Sequence, residues 1–186
     1  MEFLKGKVVS KSAGYVVVEC GCFGIKVIVP SKLCEKVKEG KDIFLFTKLV
    51  FPQEGTPVIY GFESMEERNL FEILIRIPKV GSKVALSIIS SFDIEELKKV
   101  VLSNDVKALS QIPGLGKKLS ERVILELRER FSFETENNFN EVMEALTSLG
   151  YSKKEILEVL NGIDFENLSF QEVVKIVAKE LSGKKF

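Results

Sequence analysis

A proline–glycine corner followed by lysine occurs twice in this chain, and the repeat narrows the possible folds more than any other feature. Ile112-Pro113-Gly114-Leu115-Gly116-Lys117-Lys118 lies between two apolar-periodic segments, so it reads as a tight hairpin joining two helices. Ile77-Pro78-Lys79-Val80-Gly81-Ser82-Lys83 is a fainter copy 35 residues upstream, with Gly81 aligned to Gly116 and Lys83 to Lys118. Glycine at such a corner permits positive φ and lets a foreign backbone come close. The helix behind it opens with unpaired N–H groups and a partial positive charge, which together form an anion site. One such loop is a common way to turn a corner. Two at this spacing can grip both strands of a duplex through phosphates, contacts that position a protein without reading sequence.

The length of 186 residues allows one domain or two or three small ones, and 45% apolar residues support packed cores. No run of 18 apolar residues appears, so no membrane span is expected. Met1-Glu2-Phe3-Leu4-Lys5 lacks the layout of a signal peptide, and a cytoplasmic location is the default expectation. The chain has 3 cysteines, Cys20, Cys22 and Cys34, and no histidine. A structural zinc site normally needs four Cys/His ligands, so Cys20-Gly21-Cys22 reads as a pair of small strand residues, and neither metal nor cofactor is expected. Without histidine, Ser-His-Asp and Cys-His catalysis are excluded.

Net charge is zero overall but unevenly spread. Residues 1–62 carry 9 basic and 6 acidic side chains (+3), residues 63–131 carry 12 and 11 (+1), and residues 132–186 carry 6 and 10 (−4). The acidic tail region suits a protein partner better than DNA. The near-neutral middle must hold any nucleic acid by local placement of charge and helix N-termini, not by a broad basic field.

These parts also differ in period. Residues 1–62 show β-branched runs at Val16-Val17-Val18 and Phe23 to Val29, a short helix from Ser31 to Lys38, and strands at Ile43 to Phe51 and Pro57 to Phe62. About five strands in this length suit a small closed barrel. From Ser64-Met65-Glu66-Glu67, a capping box, the period becomes helical. Leu70, Phe71, Leu74 and Ile75 share one side of that helix, and Val84, Ala85, Ile88 and Ile89 line the next. Asp93-Ile94-Glu95-Glu96 caps another, a short helix spans Val106 to Ser110, and a last one runs to about Phe131. Residues 132–138 are polar and aperiodic and read as a flexible linker. Residues 139–186 read as three helices, the first ending at Gly150 and the others opening at boxes Ser152 to Glu155 and Ser169 to Glu172. Leu146, Leu149 and Tyr151 face either that small core or a partner.

The order of parts, with IPGLGKKLSERVILELRERF (Ile112 to Phe131), YGF (Tyr60 to Phe62), ERNLF (Glu67 to Phe71) and ALTSLGYS (Ala145 to Ser152), resembles the RuvA family across essentially the whole chain. That family binds Holliday junctions in bacterial recombination. The resemblance implies an α+β multidomain fold: an OB-fold barrel (1–62) that tetramerises at the junction centre, a tandem helix-hairpin-helix domain (63–131), and, beyond the linker, a three-helix motor-binding domain (139–186). It implies four-way junction DNA as ligand and a RuvB-type hexameric ATPase as partner. A junction resolvase as further partner, and a homotetramer or octamer on the junction, stay open.

It also implies DNA-binding residues at Val80, Gly81, Ser82, Lys83, Gly114, Leu115, Gly116, Lys117, Lys118 and Arg122, and motor contacts at Leu146, Leu149 and Tyr151. An acidic pin at the junction centre falls on Glu54. Here the chain departs from relatives that carry adjacent acids, since Gln53 precedes Glu54. It departs again at Lys79, where the family usually has glycine, and at Ser82, where proline is usual. A left-handed turn at Lys79 costs on the order of 1 kcal/mol.

The expected function is therefore a non-catalytic junction-binding subunit serving an ATP-dependent motor in recombination and DNA repair. The chain has no G-x-x-x-x-G-K-[ST] loop of its own. Two rivals differ in class. A junction- or lesion-processing nuclease would need clustered carboxylates for Mg²⁺, which the acidic spacing does not supply. A protein–protein adaptor would use the hairpins only for packing.

Overall fold

In the computed structural model, residues 1–52, 55–160 and 170–183 are described. The chain divides into two compact units, Met1–Leu127 and Arg128–Phe186.

The first unit begins with five strands: β1 (Phe3–Ser12), β2 (Tyr15–Cys20), β3 (Phe23–Ile28), β4 (Asp42–Val50) and β5 (Val58–Phe62). They close into a barrel in the order β1-β2-β3-β5-β4. All pairings are antiparallel except β3 with β5, which is parallel and joins Ile28 to Tyr60. Helix α1 (Ser31–Lys36) lies between β3 and β4. Leu4, Val8, Val16, Val18, Val27 and Leu45 point inward and fill the barrel with Leu33 of α1. Gly61 lets the wall close: a Cβ there would sit 2.6 Å from Val27 Cγ1 and 3.0 Å from Leu45 Cδ1.

Strand β1 had no counterpart among the predicted strands. Lysines and Gly6 interrupt its apolar residues, and a register shift between Val8 and Ser10 breaks strict alternation. Cys20 ends β2 and Cys22 falls in the following turn, so only the first of that pair is a strand residue.

Five helical segments follow: α2 (Met65–Leu74), α3 (Ser82–Ser91), α4 (Ile94–Leu102), α5 (Val106–Ser110) and the start of α6 (Lys117–Ser148). Phe71 of α2 is fully buried against the barrel, its ring 4.8 Å from Tyr60 and 5.0 Å from Phe62. Truncating a ring in such a position costs about 3–5 kcal/mol. Lys48 of β4 pairs with Glu72 at 3.1 Å, Arg68 pairs with Glu2, and Ser31 N–H donates to Ser90 Oγ at 3.0 Å. The YGF and ERNLF motifs are thus where the barrel and the first helix pair are joined.

The linker expected at 132–138 is corrected: its backbone is helical, because α6 runs unbroken from Lys117 to Ser148. That stretch holds no glycine or proline, and its Glu, Phe and Thr residues do not stop a helix already under way.

In the second unit the end of α6, α7 (Lys153–Leu160) and α8 (Phe170–Gly183) enclose Val142, Leu146, Ile156, Val159, Leu160, Val173 and Val177. The C-terminus of α6 is a Schellman motif. Gly150 takes φ +91°, its N–H donates to Thr147 O at 3.0 Å, and Tyr151 N–H reaches back to Leu146 O at 3.2 Å. The Ser152–Glu155 box forms as expected, with Ser152 N–H on Glu155 Oε2 at 2.9 Å and Glu155 N–H on Ser152 Oγ at 3.3 Å. The proposed box beginning at Ser169 lies outside the described residues.

Candidate nucleic-acid interface

Each hairpin is built on the same turn. Val80 N–H donates to Ile77 O at 2.9 Å, and Leu115 N–H donates to Ile112 O at 3.0 Å. Proline stands second in each turn and a left-handed residue third: Lys79 with φ +73° and Gly114 with φ +86°. This is the type II arrangement, which favours glycine at the third position. Lys79 therefore holds the conformation that its side chain opposes. The two hairpins lie side by side, since a Cβ on Gly114 would meet Val84 Cγ2 of α3 at 3.1 Å.

Two readings of the loop are corrected here. Positive φ is used at Gly114, not at Gly81, which has φ −86° as N-cap of α3, nor at Gly116. Val80 and Leu115 are buried plugs whose N–H groups are spent inside the turns, so neither offers a donor or a side chain to a ligand.

The free groups sit one residue later. Helices α2, α4, α5 and α7 each begin with a side-chain cap from Ser64, Asp93, Asp105 or Ser152. Helices α3 and α6 begin after Gly81 and Gly116, which have no side chain to cap with, and neither has an acidic residue in its first turn. Among the described residues, the N–H groups of Gly81, Ser82 and Lys83, and of Gly116, Lys117 and Lys118, take no partner. In α1, also without a side-chain cap, the Ser31 N–H is occupied by Ser90. A Cβ at Gly81 or Gly116 would meet nothing within 4 Å. Neither backbone strain nor internal crowding requires glycine there, whereas an approaching backbone would.

Lys79, Lys83, Lys117, Lys118 and Arg122 are exposed and make no ion pair among the described residues. The contrast between capped and uncapped helices was legible in the residue preceding each helix, Ser or Asp against Gly. In the sequence the same glycines mark corners that a foreign backbone could approach, with unpaired N–H groups at the helix start behind them.

The three apolar residues near the end of α6 part company. Leu146 is fully buried and Tyr151 packs against the same core, both held by the Schellman turn. Leu146 is therefore a core residue, and its expected role as a partner contact is corrected. Leu149 is 66% exposed. Glu54 lies outside the described residues. Among the described residues, no group of three or more His, Cys, Asp or Glu is placed to hold a metal ion, and no helix is long and apolar enough to cross a membrane.

Three family models match consecutive stretches: the RuvA N terminal domain over residues 1–61, a SAM-like helix-hairpin-helix tandem over 71–129, and the RuvA C-terminal domain over 137–177. Relatives align end to end. Each of the following is named Holliday junction branch migration complex subunit RuvA. The protein of Thermodesulfovibrio yellowstonii is 34% identical over 99% of this chain and 98% of its own length. That of Thermoanaerobacter sp. strain X514 is 40% identical over 97% and 98%, and that of Thermotoga maritima 34% over 97% and 98%.

Proposed function

The chain belongs to the RuvA family, and from that premise we propose that it is the subunit that binds four-way junction DNA in a branch migration complex. One observation carries the reading: among the described residues, the two helices that follow the paired hairpins start without a side-chain cap, with unpartnered N–H groups beside exposed lysines. Oriented backbone donors at a helix start suit a phosphate oxygen, each charge-assisted bond contributing roughly 1.5–3 kcal/mol. Lys83, Lys117, Lys118 and Arg122 add attraction that weakens with salt. Gly81 and Gly116 leave room for the sugar-phosphate chain to reach those donors.

None of these contacts reads a base. Selectivity for a branched substrate comes instead from assembly: four copies around one centre satisfy all their hairpins at once on four arms, whereas linear duplex satisfies few. Glu54, one per copy, then gathers negative charge at the crossover and helps to keep phosphates apart. Branch movement needs an energy source, supplied here by a RuvB-type ATPase meeting the second unit, with Leu149 as its apolar contact.

The test compares binding of the full chain to a four-way junction and to linear duplex of equal arm length, by gel shift. Preference for the junction is expected. Lys117→Glu with Lys118→Glu removes two charge-assisted contacts, about 3 kcal/mol at the lower bound, and lowers junction affinity at least about a hundredfold. Equal affinity for linear duplex, or a double variant that still binds as tightly, overturns the reading. Strand cleavage by pure protein with Mg²⁺ would favour a nuclease instead.

A further inference from the structure

We propose that Lys79 is an additional phosphate-binding residue of this chain, supplying the first hairpin with the positive charge that Ser82 withholds. This rests on the hairpins being the DNA grip.

Aligned on Gly81 and Gly116, the second hairpin presents Lys117 and Lys118 at the first two helical positions, and the first presents Ser82 and Lys83. The first is one lysine short at the helix start, and Lys79 restores the count from the turn. Its side chain is exposed and leaves the same loop as the free N–H groups of Gly81 and Ser82. Among the described residues its ammonium makes no hydrogen bond, ion pair or ring contact.

The comparison with Asn104 sharpens this. Asn104, φ +56°, is the other non-glycine residue at positive φ among the described residues. Asparagine tolerates that region, and the residue precedes the Asp105 cap of α5, so local structure accounts for it. Lysine has no such tolerance, and Gly114 at the equivalent place shows what the turn prefers. The side chain retained at Lys79 therefore finds its role outside the chain. A mobile ammonium on the turn reaches a phosphate beside the one held by the helix start, so both hairpins of a subunit hold the backbone with two lysines each.

The experiment uses the full chain, its Lys79→Gly, Lys79→Met and Lys79→Arg variants, and the Lys117→Glu/Lys118→Glu double variant. Affinity for a fluorescent four-way junction is measured by anisotropy across a salt series, alongside thermal unfolding. Lys79→Gly is expected to raise the unfolding midpoint by about 2–4 °C. It should lower junction affinity about tenfold and flatten the log–log salt slope by about 0.9 per subunit bound. Lys79→Met keeps the turn strained, so it shows the same binding loss without the thermal gain, and Lys79→Arg retains binding. If both neutral variants bind within twofold of the unaltered chain on an unchanged salt slope, while the double glutamate variant loses binding, Lys79 has no such role. If the double variant also binds normally, it is the reading of the hairpins that fails, and this proposal with it.

Discussion

Glu2 and Arg68 tie the first residues of the barrel to α2. The Arg68 guanidinium, first by hydrogen bonding and then by its charge, holds the Glu2 carboxyl below its ordinary value of 4.5. A carboxyl lowered on folding stabilises the fold above its unfolded pKa, and that contribution is lost as pH falls through the folded value. Glu2→Gln should therefore be less stable than the unaltered chain at neutral pH. The gap should close on acidification below about 4.5, as followed by urea unfolding at several pH values. A constant gap across pH would mean that charge is not what the pair contributes. Among the described residues Arg68 Nε is buried with no partner, so the position of Arg68 rests on the other end of the guanidinium. The ERNLF motif was visible in the sequence, but its job was not. A motif shows which residues recur together; only the packing shows that Arg68 reaches Glu2 and Phe71 reaches Tyr60 and Phe62.

Helix ends decide most at the scale of single elements. An N-cap serine stabilises a helix start slightly better than glycine, by only a few tenths of a kcal/mol. Gly81→Ser with Gly116→Ser should thus leave thermal stability unchanged or slightly raised. Each hydroxyl would occupy a donor, and each Cβ would stand in the path of an incoming phosphate, so junction affinity should fall about tenfold or more. Stability measured by calorimetry and binding by gel shift would separate the two effects; unchanged binding would mean that these donors are not used. The same feature explains what could be read beforehand. Helices α4 and α7 start where Asp93 and Ser152 predicted, because a cap is a local bond between residues three apart; α5, expected from Val106, opens on a cap from Asp105 that the sequence reading did not name. Ser64 is a partial case: its Oγ accepts from Glu67 N–H, but Glu67 answers to Glu63 N–H, one residue early. Elements fixed by distant partners were harder. Strand β1 is recognisable only from its pairing with β2 and β4, and the run of α6 past Phe131 has no local signal that would have stopped it.

On the scale of the whole molecule, each unit keeps its own core, and among the described residues the second exposes Leu149 beside its Schellman turn. Leu149→Asp should leave the helical spectrum and junction binding intact while reducing stimulation of the motor's ATPase. Leu146→Ala opens a cavity and should cost about 2–5 kcal/mol of stability in that unit. If Leu149→Asp stimulates the motor as fully as the unaltered chain, the contact lies elsewhere. The predicted lysines of the hairpins are exposed at or beside the helix starts, whereas Val80, Leu115 and Leu146 are interior, since apolar residues beside a loop look alike until their burial is known.

The closed ring of strands has one more consequence. The ring closes between β3 and β5 at one residue pair, Ile28 with Tyr60, so among the described residues Phe23 to Val27 pair with β2 alone and leave an open strand edge on their other side. If copies gather around a crossover as proposed, the exposed, stacked rings of Phe3 and Phe44 offer outward side chains through which to meet. Association through side chains would be bounded by shape, ending when a circle is complete, whereas growth along the open edge of β3 would have no natural stopping point.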